Sequence, residues 1–469
     1  MPSLLGLSAE LQVAIIEYLD TPATRCDPPA AYFAPRTSRD VANLSSSCRT
    51  FHKLAAPTLH RNIRLRTDDK SGKSLQAVSN SPWAAGFVRE LNVEANITVE
   101  DDYDELMPLS EEDFPSSVED VLSHLERFPN LEFLSVQFKL GDTMQWDELE
   151  AESSCEMWQG LPDPYRDFEQ LKWKEERAEF RAVMARSYDA IASSERPSAL
   201  TTLELRNLLP AGVSSFNTKP WQAFLGTLKT LRLSMHEHAG GGESCLSTAS
   251  GYTEFIQNLD LLFSQLTNIT EFRFAASQEG LPGLPGQHHA VFPLNVEDMP
   301  LLQVLELKFC FISERTARFI GGHVKTLKRI RLEECYSAAG DYNAEEHTTW
   351  ATFLNIIADS LDAVEDPPLE EFFISPRVLG KSRELGGHEK VSVPIRGDDT
   401  QIEIAFSMSR TDPRRRPFDY ARLDDKYGFL SEMEEQNLTA FLLGHDQAAY
   451  DRVMSVFRRR SGGRTKSVD

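Results

Sequence analysis

Two stretches carry the glycine–lysine–serine ending of a phosphate cradle: "SPRVLGKS" (375–382), which follows a strand-like run, and "TDDKSGKS" (67–74). Such a loop wraps phosphate with backbone N–H groups, and the tight wrap needs a first glycine. Ser375 and Thr67 stand at that position, and Pro376 stiffens the first loop, so neither is assigned to nucleotide binding. The histidines of "HEH" (236–238) and "HH" (288–289) are metal-ligating types without a third ligand at a recognised spacing. They are read as surface-loop histidines. The six cysteines, at 26, 48, 155, 245, 310 and 335, form no C-x-x-C pair and no nucleophile signature. No G-x-S-x-G elbow occurs. Catalytic residues, metal ligands and cofactors are therefore expected to be none, and the chain is read as not an enzyme.

Charge narrows the partners. The chain has 469 residues and a net charge of −23, which argues against nucleic acid or an anionic membrane as a general partner. The tail "RRRSGGRTK" (458–466) reads as a frayed basic helix end, with a nuclear-import signal as the other reading. No basic leader precedes the first apolar run, and no apolar stretch reaches bilayer length. With scattered cysteines this points to a cytoplasmic or nuclear location. The Asn-x-Ser/Thr matches at Asn43, Asn96, Asn268 and Asn437 are then chance.

The elements begin with "LSAELQVAIIEYLD" (7–20). Leu7, Leu11, Ile15 and Leu19 recur every fourth residue and predict one apolar helix face, with Ser8 as N-cap; Val13 and Ile16 are expected to point elsewhere. A loop rich in proline and small residues fills 21–38. Helical spacing resumes with Asp40, Val41, Leu44, Cys48, Phe51 and Leu54, Pro57 is expected to restart the chain, and Ile63 and Leu65 enter a strand.

These two stretches resemble an F-box, the three-helix module that binds the Skp-type adaptor of cullin-based ubiquitin ligases. The matching positions are Leu7, Glu10, Leu11, Ile15, Leu19, Asp40, Leu44, Cys48, Arg49, Phe51 and Leu54. Leu7-Ser8 replaces the usual Leu-Pro, and the 21–38 insertion is longer than usual. The resemblance implies adaptor contacts at Leu7, Ser8, Leu11, Ile15 and Leu44, with part of the first helix's apolar face packed inside the module and part left for the adaptor.

A short phrase then repeats. "LLQVLELKFCFI" (301–312) and "LKRIRLEEC" (327–335) fit L-x-x-L-x-L-x-x-C, and their Cys310 and Cys335 suit a tight buried turn. Weaker copies are "VRELNV" (88–93), "LEFLSV" (131–136), "LTTLEL" (200–205), "LKTLRL" (228–233), "ITEFRF" (269–274) and "LEEFFI" (369–374). This is similar to a leucine-rich-repeat array. The 69-residue gap between Leu134 and Leu203 holds a helical insertion. The stretches 100–113, 239–244 and 279–289 read as loops. Beyond 376 the phrase is lost. "KVSVPI" and "QIEIAFSM" predict a β-hairpin around "RGDDT", followed by two helices that could cap the array.

The expected fold is α/β. It has a helical F-box-like module at 1–66, an irregular leucine-rich-repeat solenoid of parallel strands with convex-side helices at 67–376, and a hairpin-and-helix cap at 377–460. A flexible tail occupies 461–469. In each repeat strand the residue between the two buried positions points outward. That column reads Asn92, Ser135, Glu204, Arg232, Arg273, Glu306, Arg331 and Phe373, and the next adds Arg206, Lys308 and Glu333. Arg206, Arg232, Arg273 and Arg331 are candidates for a basic stripe that receives an acidic or phosphorylated target segment; a strand face solvated for its own sake is the other reading. The resemblance implies a non-catalytic substrate receptor that joins a Skp-type adaptor, and through it a cullin ligase, to a protein target. The alternative is a leucine-rich-repeat interaction scaffold with no ubiquitin role.

Overall fold

The computed structural model describes residues 7–20, 39–97, 110–111, 113–140, 167–176, 178–236, 251–278, 280–375, 399–424 and 428–464. Nine strands form one sheet: β1 (Asn62–Arg66), β2 (Glu90–Ile97), β3 (Phe133–Leu140), β4 (Thr202–Leu208), β5 (Thr230–Met235), β6 (Glu271–Ala275), β7 (Val304–Lys308), β8 (Arg329–Glu333) and β9 (Glu371–Ile374). Their spatial order is their chain order, and every neighbouring pair is parallel. All eight repeated phrases lie on strands. β1, expected to close the helical module, is instead the first strand of the sheet.

Parallel neighbours cannot be joined by a tight turn, so each connection must cross over. Crossovers of one hand between strands added in order all fall on the same face. The burial pattern agrees. Leu91, Leu134, Leu203 and Leu231 are register partners, all at most 1% exposed, and the column continues to Ile330 and Phe372. The crossover helices Asp69–Ser79, Ser116–Leu122, Glu179–Ser193, Lys219–Leu225, Glu314–Gly322 and Trp350–Asp362 bury their apolar sides in the same core. The helix Glu179–Ser193 lies in the segment read as a helical insertion. The structure is thus a mixed α/β, solenoid-like fold with one covered sheet face.

The turn after the strand also repeats. Asn207, Phe309 and Glu334 have φ of 48°, 55° and 49°, and each directly precedes a buried residue: Leu208, Cys310 or Cys335. The left-handed residue swings the chain so that the next side chain re-enters the core. Its N–H is tied to the following strand or its end: Asn207 to Ser234 Oγ, Phe309 to the Glu333 carbonyl, Glu334 to Ser375 Oγ.

Three helices precede the sheet: α1 (Ala9–Asp20), α2 (Arg39–Ser47) and α3 (Arg49–Arg61). They share a small core of their own, Ile16, Val41 and Ala55. α3 runs through Pro57, contrary to the expected restart. Proline loses one helical hydrogen bond, but buried Phe51, Ala55 and Ala56 before it and partly buried Leu59 after it hold the helix in place.

The C-terminal expectation needs a larger correction. "QIEIAFSM" lies in a helix, Asp399–Thr411, and not in a strand; "KVSVPI" falls outside the described residues. Ile402, Ala405 and Met408 are three apart, a helical spacing, and they pack on Leu438 and Phe441. A hairpin does form further on, from β10 (Ala421–Leu423) and β11 (Leu430–Glu432). Two helices follow, Glu434–Leu443 and His445–Arg464. The last packs on the helix Trp350–Asp362, and Arg416 donates to the carbonyls of Ile374 (2.6 Å) and Ser375 (3.0 Å) at the end of β9.

The two ends of the loop around 280–290 are buried, and His289 is not the surface histidine expected. Its Nε2 lies 3.3 Å from Asp341 Oδ2, with both side chains 0% exposed. Asp341 also accepts the N–H of Asn343 (2.9 Å) and of Leu423 (2.9 Å). One carboxylate therefore joins this loop, the segment after β8 and the C-terminal hairpin.

Two measurements check this account. Leu307→Ala removes a side chain 2% exposed and should cost about 2–5 kcal/mol in denaturant unfolding; an unchanged midpoint would contradict the packed face. At Asp341, burial would raise the carboxyl pKa, but the His289 hydrogen bond and the two N–H groups hold it below the usual range. Its stabilisation is complete above the unfolded pKa, about 3.9, and is lost as pH falls through the lower folded value. The stability gap between wild type and Asp341→Asn should therefore narrow in urea titrations taken below about pH 4. His289→Ala, which strips a buried partner, should cost about 3 kcal/mol or more at neutral pH.

Candidate functional site

α1 presents two apolar arcs. Ile16 is 1% exposed, and Leu19 packs beside it against α2 and α3. Leu11 is 54% and Tyr18 80% exposed, with Val13 also exposed and Ile15 half-buried beside them. The single face expected from Leu7, Leu11, Ile15 and Leu19 is therefore split: Ile16, assigned away from it, is the residue that anchors the helix. Ser8 precedes the helix, and its carbonyl accepts the Gln12 N–H at 3.0 Å. The Glu10 carboxyl is held below its usual range by its own N–H and the Ser8 hydroxyl. Leu7 is half-buried and Ser8 exposed. Leu44 is partly buried and belongs to the packed side. Of the five residues singled out, Leu11 and Ile15 share the open arc, Leu7 and Ser8 sit at its start, and Leu44 supports it from behind.

The second surface is the sheet face that no element among the described residues covers. Strand register places Asn92, Ser135, Glu204, Arg232, Arg273, Glu306, Arg331 and Phe373 side by side across eight strands. Arg64 of β1 extends that row. The arginines do not stand alone. Arg206 pairs with Glu204 (2.9 Å), and Arg232 with Glu271 (3.3 Å). Arg273 bridges Glu271 (2.8 Å) and Glu306 (3.1 Å), and Arg331 meets Glu333 (3.3 Å) and Glu371 (3.8 Å). Burial pushes the Glu306 carboxyl up, against the pull of Arg273 and Arg331. The face is an ion-paired lattice with cations and anions interleaved.

Sequence reasoning missed two of the carboxylates in that lattice. Glu271 and Glu371 lie two residues before the column that contains Arg273 and Phe373, and so point outward as well. The signal was the same alternation, read one step earlier in each phrase. Arg64, Asn62 and Phe133 were missed because β1 was assigned to the helical module and the first outward row was not considered.

The remaining motifs resolve locally. "TDDKSGKS" opens the helix Asp69–Ser79, capped by Asp68, whose side chain accepts the Ser71 N–H. Gly72 sits there because a Cβ would lie 2.2 Å from Ser117 Oγ on the neighbouring helix. Only Ser375 of "SPRVLGKS" and His236 of "HEH" fall among the described residues. Cys310 and Cys335 are buried in the repeat turns, and burial pushes the Cys310 thiol up. Among the described residues no group of three His, Cys, Asp or Glu could hold a metal ion, and no helix is long and apolar enough to cross a membrane. No protein-family model matches the chain, and no curated protein matches it either.

Proposed function

We propose that this chain is a non-catalytic substrate receptor of a Skp–cullin–F-box type ubiquitin ligase. In this reading the three N-terminal helices are an F-box module and the sheet with its crossovers is an irregular leucine-rich-repeat array. The adaptor covers the open arc of α1, and a protein target lies on the uncovered sheet face. No residue of the chain performs the transfer; it holds the target near the assembled ligase. The observation that carries the reading is the division of α1. Ile16 and Leu19 seat the helix in its own module, yet Leu11 and Tyr18, with half-buried Ile15 between them, keep a separate apolar arc. Apolar side chains so exposed on a helix with a filled inner face mark a surface awaiting a partner. The recurrence of the left-handed turn before Leu208, Cys310 and Cys335 supports the repeat assignment, since each falls at one place in the phrase.

Exposure makes the test clean. Leu11→Glu and Tyr18→Glu alter side chains that take no part in the module core, so both proteins should fold, and both should lose co-purification of a Skp-type adaptor through a charge placed in an apolar contact. Ser8→Pro restores the residue usual in the family and should capture adaptor no worse than wild type. Ile16→Glu, by contrast, should disrupt the module itself, seen as lost helical signal or early proteolysis near α1. Equal adaptor recovery by wild type and a folded Leu11→Glu protein would overturn the proposal.

A further inference from the structure

The two halves of the uncovered sheet face differ in what they leave unused. Over β1–β4 the polar groups close on one another. Asn62 donates to Glu90 (3.0 Å), Asn92 donates to Asn62 (2.7 Å), and Arg206 donates to Asn92 (2.6 Å) and to Ser135 (2.7 Å). With its side chain 13% exposed and paired to Glu204, Arg206 has little to offer a visiting molecule. Over β5–β8 three guanidiniums remain open. The side chains of Arg232, Arg273 and Arg331 are 37%, 33% and 36% exposed. Glu271 and Glu306, which pair with the first two, are deeper at 19% and 24%. At these two the cations overhang the anions, whereas Arg331 is level with its partners Glu333 (39%) and Glu371 (41%).

These guanidiniums also have valence to spare. Arg232 Nε and Arg331 Nε are buried and have no hydrogen-bond partner among the described residues, so of the five N–H groups on each guanidinium it is those of the terminal nitrogens that face outward. Each lies over a ring, Arg232 over Phe133 (5.9 Å) and Arg331 over Phe373 (4.9 Å). Stacking holds the plane of the group while its terminal edge stays available.

We infer that the face over β5–β8 binds an extended segment of the target that carries carboxylates at alternate residues and crosses the strands. In an extended chain, alternate side chains share one side and recur about every 6.7 Å, so three of them span about 13 Å. Arg232 and Arg331 are three strand spacings apart, about 14 Å, with Arg273 one spacing from Arg232. The flexible arginine stems take up the remaining mismatch. Single-charge carboxylates fit better than phosphates, because Glu271, Glu306 and Glu333 stay beside the guanidiniums and repel a dianion more strongly. Arg206, on the saturated half, takes no part. The inference rests on the sheet face being the target site in the proposed function, but not on the adaptor.

The test uses the full chain and a fluorescein-labelled peptide with Glu-Ser-Glu-Ser-Glu between Gly-Ser flanks, followed by fluorescence anisotropy. Saturable binding is expected, at least tenfold weaker for the same peptide with Gln in place of Glu. Arg232→Gln with Arg331→Gln should lose at least tenfold, and Arg64→Glu, on the other half, should lose less than twofold. Undetectable binding by wild type, equal affinity for the Glu and Gln peptides, or an equal loss in Arg64→Glu would overturn the inference. A phosphoserine peptide bound more than tenfold tighter than the Glu peptide would overturn the choice of carboxylate. Adaptor capture is scored on the same samples. If peptide binding holds while capture fails, the ubiquitin reading falls and this inference stands; the converse pattern removes this inference alone.

Discussion

Parallel strands that follow one another in space as in sequence must each be linked by a crossover, and crossovers of one hand gather on one side. Most of what distinguishes this chain follows from that constraint. The covered side accumulates a continuous apolar column from Ile63 to Phe372. The other side receives no element among the described residues, so its backbone is satisfied by the ladder and its side chains must satisfy one another. Ion pairs across neighbouring strands, such as Arg232 with Glu271 and Arg273 with Glu306, are how that bare surface is kept ordered. Each such pair contributes modestly when partly exposed, but the lattice fixes which charges point outward.

The array was legible because its period is short and its buried residues are large. Leu305 and Leu307 alternate with outward Glu306, and the same alternation recurs in every phrase, so strand and facing emerge together. The turn cysteines were legible for a related reason, since a small residue that tolerates burial suits that position. Other features were hidden by ambiguity of period. Ile402, Ile404, Phe406 and Met408 alternate as a strand would, while Ile402, Ala405 and Met408 recur at helical spacing, and contact of the second set with Leu438 and Phe441, remote in sequence, decides the matter. In α1 both Leu11 and Ile16 lie on apolar arcs, and spacing alone does not say which arc a neighbouring helix covers. His289 was misplaced because glycine and proline around it suggest an exposed loop, whereas its burial depends on Asp341, fifty-two residues away.

Two segments beyond the repeat phrase show how tertiary context makes irregular chain permissible in a core. The loop around 280–290 has no regular strand or helix, yet Leu281 and Leu284 are at most 1% exposed. Isolated bridges such as Pro282 with Ala290 and Gly286 with Ala344 satisfy its backbone, and Gly286 is required where a Cβ would lie 2.1 Å from the Asn343 carbonyl. Asp341 then ties the same region to the C-terminal hairpin. Among the described residues the end of the array is thereby stitched by polar contacts and not by another copy of the repeat.

α3 ends at Arg61 and β1 begins at Asn62, with no linker between them. The helices and the sheet therefore meet as a stiff joint, and the sheet leaves the joint as a graduated ruler. Strands are separated by about 4.8 Å, which sets β5 about 19 Å and β8 about 34 Å from β1 along the sheet. Anything seated over a given strand is carried at that distance from the helices, and the gain or loss of one strand with its crossover would move it by a single division. Position along the chain is converted into reach.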